Sequence, residues 1–126
     1  MKVLLDSHAL LWWCSENPQL SALARGTIEE QECIVSMASL WEMAIKVNLG
    51  KLTLPDAIDR YFPEQMLRNG FGQLDIGIRH IARYAALPLH HRDPFDRMLT
   101  AQAIEDNLVI VSRDPVFTRY GVERIW

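Results

Sequence analysis

Three short apolar runs constrain this chain more than any other feature: KVLLD at residues 2–6, CIVS at 33–36 and LVIVS at 108–112. None alternates polar with apolar residues, so each reads as a strand covered on both faces. Stretches with helical spacing lie between them, and strands alternating with helices predict an α/β fold with a mostly parallel sheet. QLDI (73–76) and VERIW (122–126) are the two weaker strand candidates.

The helices follow from period and punctuation. SHALLWWCS, after the first strand, is so apolar that the helix it forms is expected to expose little surface. SALARGTIEEQ (21–31) reads as a helix weakened by Gly26 in its interior. In MASLWEMAIKVNLG, Met37, Leu40, Trp41, Ala44 and Ile45 recur at helical spacing, and Gly50 supplies a stop. PDAIDRYFPEQMLRNG (55–70) opens on proline, closes on Asn-Gly and is expected to break before Pro63. IRHIARYAAL (78–87) ends before Pro88, and FDRMLTAQAIEDN sets Phe95, Met98, Leu99 and Ala103 on one side. No repeat, low-complexity tract or linker interrupts the series, so residues 1–126 are expected to form one domain.

Hydrophobic residues make up 49% and charged residues 23%, which argues against a disordered chain. The two cysteines, Cys14 and Cys33, have no CxxC spacing; they suggest neither a disulfide framework nor a thiolate zinc site and fit a reducing compartment. Asp6 and His8 interrupt the apolar N-terminal run, which is also far too short to span a bilayer, so a soluble cytoplasmic protein is expected. A net charge of −3 is unhelpful to nucleic-acid binding, which usually shows as a basic surplus. That objection weakens if four of the acids hold a divalent cation, because 12 acids then face 13 Lys and Arg and the cation itself attracts phosphate.

In parallel α/β sheets ligands collect beyond the carboxyl ends of the strands, where helix N-termini also point. The acids fall there. Asp6 ends the first strand, Asp114 sits just past LVIVS, and Asp93 and Asp96 open the helix that follows HHRDP; Glu42 lies in the second turn of the helix after CIVS. Each taken alone has an ordinary reading. Asp6, Asp93 and Asp114 fit N-caps, Asp96 a first-turn acid that complements the helix dipole, and Glu42 an i,i+4 partner for Lys46. Their convergence says more, since several carboxylates at one sheet edge repel one another unless a cation neutralises them. Hard oxygen ligands select Mg2+ or Mn2+, and such sites hydrolyse phosphodiesters.

DSHALLWW, SLWEMAIK, DPFDRMLTAQA and VIVSRDPVF, in that order and at these spacings, resemble the PIN-domain ribonucleases, and specifically the VapC-type toxins of toxin–antitoxin pairs. The resemblance runs over nearly the full length. It implies a PIN-like fold with a parallel sheet of four or five strands between helices, and cleavage of RNA at a metal-dependent site. By position it implies that Asp6, Glu42, Asp96 and Asp114 form the acidic metal-binding pocket, with Asp93 as an additional acid and Ser112 orienting water or substrate. Ser7 and Ser112 stand where many relatives carry threonine, and both keep the hydroxyl. The implied partners are a second copy in a homodimer and a small cognate antitoxin whose tail blocks the pocket. Leu10, Trp13 and Trp41 are candidates for those interfaces, with core packing as the alternative. Arg92, Arg97, Arg113 and Lys46 lie close in sequence to the acids and are candidates for gripping RNA phosphates. His90 and His91 read first as hydrogen-bonding or substrate-contacting groups and only second as metal ligands.

Rival chemistries fit less well. A phosphatase with an aspartyl nucleophile usually needs a second acid two residues on, where this chain has His8. A PIN-like module that grips RNA or a partner without cutting would be marked by lost acids, and none of the four is lost. The six glycines form neither GxGxxG nor a GK[ST] loop, and no GxSxG elbow points to a serine hydrolase.

Overall fold

The computed structural model describes residues 1–126. In chain order its elements are β1 (Lys2–Leu5), α1 (Ser7–Cys14), α2 (Ala22–Glu30), β2 (Glu32–Ser36), α3 (Met37–Asn48), α4 (Ile58–Asn69), β3 (Gly72–Leu74), α5 (Ile78–Ala86), α6 (Pro94–Asp106), β4 (Val109–Val111), a 3₁₀ turn (Pro115–Tyr120) and β5 (Arg124–Ile125). The five strands form one sheet in the order β3-β2-β1-β4-β5, and every pairing is parallel. The expected α/β architecture is therefore present, with both weak strand candidates placed as edge strands.

Why the apolar runs sit at the centre follows from the pleat. Val3 and Leu5 of β1 point to one face and Leu4 to the other, and all three are fully buried. On the Val3 face, Leu10, Ala24, Ile28, Val35, Met43, Phe62 and Val111 close one core cluster. Leu4 joins Ala38, Leu99, Ala103, Ile110 and Phe117 in a second cluster on the opposite face. A strand buried on both sides has no polar positions to spare, which is why its sequence reads as an unbroken apolar run.

Register then positions the acids. Leu5 pairs with Val35 on one side and with Val111 on the other, so the chain leaves β1, β2 and β4 at the same level. Asp6, Ser36 and Ser112, the next residue in each case, emerge together at the carboxyl edge of the sheet. Helices start there: Asp6 caps α1 by accepting from Ala9 N, Ser36 caps α3 by accepting from Ala38 N, and Asp93 caps α6 by accepting from Phe95 N and Asp96 N.

Local departures from expectation have identifiable causes. The helix over 55–70 begins at Ile58 and runs through Pro63 without a break. Tyr61, Phe62 and Met66 on either side of that proline are all buried, and their packing outweighs one lost backbone hydrogen bond. β3 covers Gly72–Leu74 rather than 73–76, and β5 only Arg124–Ile125. Both are edge strands, with one neighbour each to extend them. No helix is long and apolar enough to cross a membrane.

Candidate active site

Asp6 is the fixed point of the site. It is 6% exposed, and each of its oxygens is engaged: Oδ1 accepts from Ala9 N at 2.8 Å, and Oδ2 accepts from the Ser112 hydroxyl. Ser112 is wholly buried and also accepts from Asp114 N at 3.0 Å, so one hydroxyl ties the end of β1 to the loop after β4. That geometry corrects the expectation that Ser112 meets water or substrate: with no exposed surface, it orients Asp6 instead. Ser7 has the matching role toward Glu42, donating to Glu42 Oε1, while Lys46 Nζ lies 3.7 Å from Glu42 Oε2.

Across the cleft, Asp96 stands in the first turn of α6. His91 Nε2 lies 2.9 Å from its Oδ2 and 4.0 Å from Asp114 Oδ2. The other ring nitrogen of His91, Nδ1, accepts from Arg92 N at 3.0 Å, which leaves the proton of the neutral ring on Nε2. His91 thus donates to Asp96 and orients that carboxylate. Ligand atoms of His91, Asp96 and Asp114 all lie within 4.8 Å of one another.

The electrostatics link the acids into one group. Burial pushes the Asp6 carboxyl above the usual carboxylate range, opposed by its hydrogen bonds from Ser112 and Ala9 and by nearby His8, and reinforced by the charge of Glu42. Asp96 is pushed up to about 7, chiefly by burial, then by the charges of Asp93 and Asp6, with the His91 hydrogen bond acting the other way. Two desolvated carboxyls, both shifted toward the neutral form, mark a place short of positive charge. A donor set of hard carboxylate oxygens in that condition fits a divalent cation of the Mg2+ or Mn2+ kind.

Two of the acids are also spent on caps. Asp93 spends one oxygen on two backbone N–H groups as the α6 cap, and Asp114 caps the 3₁₀ turn through Val116 N while its other oxygen approaches His91. Arg92 and Arg113 stand at the rim, both exposed. Arg97 is the clear correction: it is 6% exposed and turned inward. Its Nη1 donates to Pro88 O at 2.9 Å, Tyr120 Oη at 3.1 Å and His91 O at 3.4 Å, and its guanidinium lies 5.0 Å over the Tyr84 ring. Rather than gripping phosphate, Arg97 holds the 87–92 loop that presents His91 to Asp96. Tyr120 completes this brace by accepting from His90 N at 3.2 Å, a role no local pattern announces. Leu10, fully buried, is likewise excluded as an interface residue, whereas Trp41 is 61% exposed and Trp13 half-buried.

Comparison with known proteins gives the family of this fold. The family model of the PIN domain matches residues 3–123, and the chain belongs to the PIN-domain family. Among characterised relatives it is similar to the ribonuclease VapC22 of Mycobacterium tuberculosis, 32% identical over 114 residues that cover 89% of this chain and 86% of that protein. Its fold is similar to solved structures of VapBC2 from Rickettsia felis bound to a promoter DNA fragment, with TM-score 0.72, 14% identity and full coverage of both chains. It is also similar to the DNA-bound VapBC of Salmonella typhimurium, with TM-score 0.71, 17% identity and coverage of 98% and 96%. The VapC type is thus the branch of the family to which the recognised motifs correspond.

Proposed function

We propose that the protein is a VapC-type endoribonuclease that hydrolyses RNA phosphodiester bonds with a divalent cation, Mg2+ or Mn2+, held by Asp6, Glu42, Asp96 and Asp114. One observation supports the reading: carboxyls from separate segments lie close enough at the carboxyl edge of the sheet to act on one another's charge, Asp6 with Glu42 and Asp96 with Asp6 and Asp93, while His91 lies between Asp96 and Asp114. The bound ion would activate a water and stabilise the charge that develops on the leaving oxygen.

The chain's own residues supply the rest. Ser7 and Lys46 hold Glu42, Ser112 and the α1 N-terminus hold Asp6, and His91 holds Asp96. Asp93 stays at the head of α6 and adds negative charge, with one oxygen committed to capping. Arg92 and Arg113, at the rim, are available to meet the phosphates on either side of the cut. In this reading residues 1–126 work as one PIN domain in the cytoplasm. The protein forms a homodimer and is silenced by a cognate antitoxin; exposed Trp41, Ile45 and Ile81 supply apolar surface for such contacts.

The test is cleavage of a structured RNA with Mg2+ or Mn2+, with and without excess EDTA. Cleavage that stops in chelator and is lost in Asp96→Asn supports the reading, and cleavage that continues unchanged in chelator overturns it.

A further inference from the structure

The cleft at the carboxylates extends away from them along α1. Its walls are Asp6, His8, Trp12, Arg113, Asp114 and Pro115, and it encloses about 380 Å³. Two of its walls are the acids already described; the other half is of a different character. His8 and Trp12 lie one turn apart on α1, with ring centroids 5.3 Å apart and planes inclined by 36°. The Arg113 guanidinium lies 6.0 Å from the centre of the Trp12 ring, and Trp126 supports the indole from 5.8 Å at an angle of 56°.

An indole set beside the buried Asp6 and the exposed Asp114 is poorly explained by the core. Trp12 packs against the larger apolar cluster along part of its surface, yet it remains half-buried and lines a cleft whose other walls are mainly polar and charged groups. Aromatic and guanidinium planes facing a groove are what single-stranded nucleic acid uses for base stacking, because every base has a π-face. The phosphate belongs at the acids, where the cation would hold it, and the aromatic side of the cleft is left for a base. We propose that this cleft is a nucleobase subsite, in which a base adjoining the scissile phosphate stacks on Trp12 with Arg113 and His8 at its edges. The proposal rests on RNA as the substrate and adds how one of its bases is held. The i,i+4 spacing of His8 and Trp12 just after Asp6 is the only trace of it in the sequence.

The experiment uses a short single-stranded oligoribonucleotide carrying 2-aminopurine, moved one position at a time, titrated into the protein in chelator so that no strand is cut. One position should show quenching on binding. An abasic replacement there should weaken binding by about 5- to 150-fold, the range that corresponds to roughly 1–3 kcal/mol for a stacked base. Trp12→Leu, which preserves apolar packing, should weaken the intact oligonucleotide to a similar degree and should no longer distinguish it from the abasic one. Equal binding of intact and abasic strands by the unaltered protein overturns the subsite, as does a full abasic penalty retained in Trp12→Leu. The first of these comparisons needs no variant, so it holds however well Trp12→Leu folds. If either result occurs while Mg2+-dependent cleavage persists, the nuclease reading stands and the subsite falls. Stacking on Trp12 in a protein that cuts no RNA has the opposite consequence: the subsite stands and the nuclease reading falls.

Discussion

Asp96→Asn tests whether the acidic cluster is under strain in the absence of a cation. The unaltered carboxyl titrates near 3.8 when unfolded and is pushed up to about 7 in the folded protein, mainly by burial and by Asp93 and Asp6. The sign of the effect depends on which state loses its proton first. Well below pH 3.8 Asp96 is neutral in both states and does not affect stability. As the pH rises through 3.8 the unfolded chain ionises while the folded one does not, so stability falls, and the fall is complete once the pH passes about 7. At 1.36 kcal/mol per pH unit between the two values, the loss approaches about 4 kcal/mol. The α6 N-terminus offsets up to about 1 kcal/mol of this by favouring the charge, which leaves roughly 3 kcal/mol. Asparagine keeps an acceptor for His91 and cannot ionise. Metal-free Asp96→Asn should therefore match the unaltered protein at pH 4 and melt higher at pH 8 by about 10 °C, given a few degrees per kcal/mol for a chain of this size. Thermal unfolding followed by circular dichroism from pH 4 to 8 in EDTA measures the difference. Adding Mg2+ at pH 8 should raise the melting temperature of the unaltered protein and leave the variant unmoved. A variant that is less stable at pH 8, or whose melting temperature falls with pH in parallel with the unaltered protein, refutes the assignment of Asp96 to a strained cluster.

Three further outcomes are expected. Asp93→Asn should stay within about 0.5 kcal/mol in urea denaturation, because Asn caps as well as Asp, whereas Asp93→Ala should lose about 1 kcal/mol. Arg97→Met removes the donor shared by Pro88 O, His91 O and Tyr120 and should cost about 2–4 kcal/mol; faster amide exchange confined to residues 87–92 would show that the brace, and not the core, has failed. Phe62→Ala, at a fully buried site next to Pro63, should cost about 3–5 kcal/mol and unfold α4 first if packing is what carries that helix past the proline.

The local order of the chain is written in its sequence. Runs such as KVLLD and LVIVS are apolar throughout because a parallel sheet buries them on both faces, and Asp-Pro at 93–94 and 114–115 starts a helical turn in both places. The sequence also shows where the four proposed acids fall, each just beyond a strand or in the opening turns of a helix. What local pattern leaves open is the direction in which a side chain is spent. Arg97 follows Asp96 by one position and looks like a phosphate ligand, yet the 87–92 loop folds over it and its guanidinium meets backbone carbonyls instead of solvent. Ser112 is similar: its hydroxyl belongs to Asp6, 106 positions away in the chain. His91 reaches Asp96 because Arg97 and Tyr120 fix its loop, and Pro63 remains helical because Phe62 and Met66 are already packed. In each case partners distant in sequence compete for the same side chain, and only the tertiary structure, which sets their distances and excludes water from some of them, decides which partner it takes.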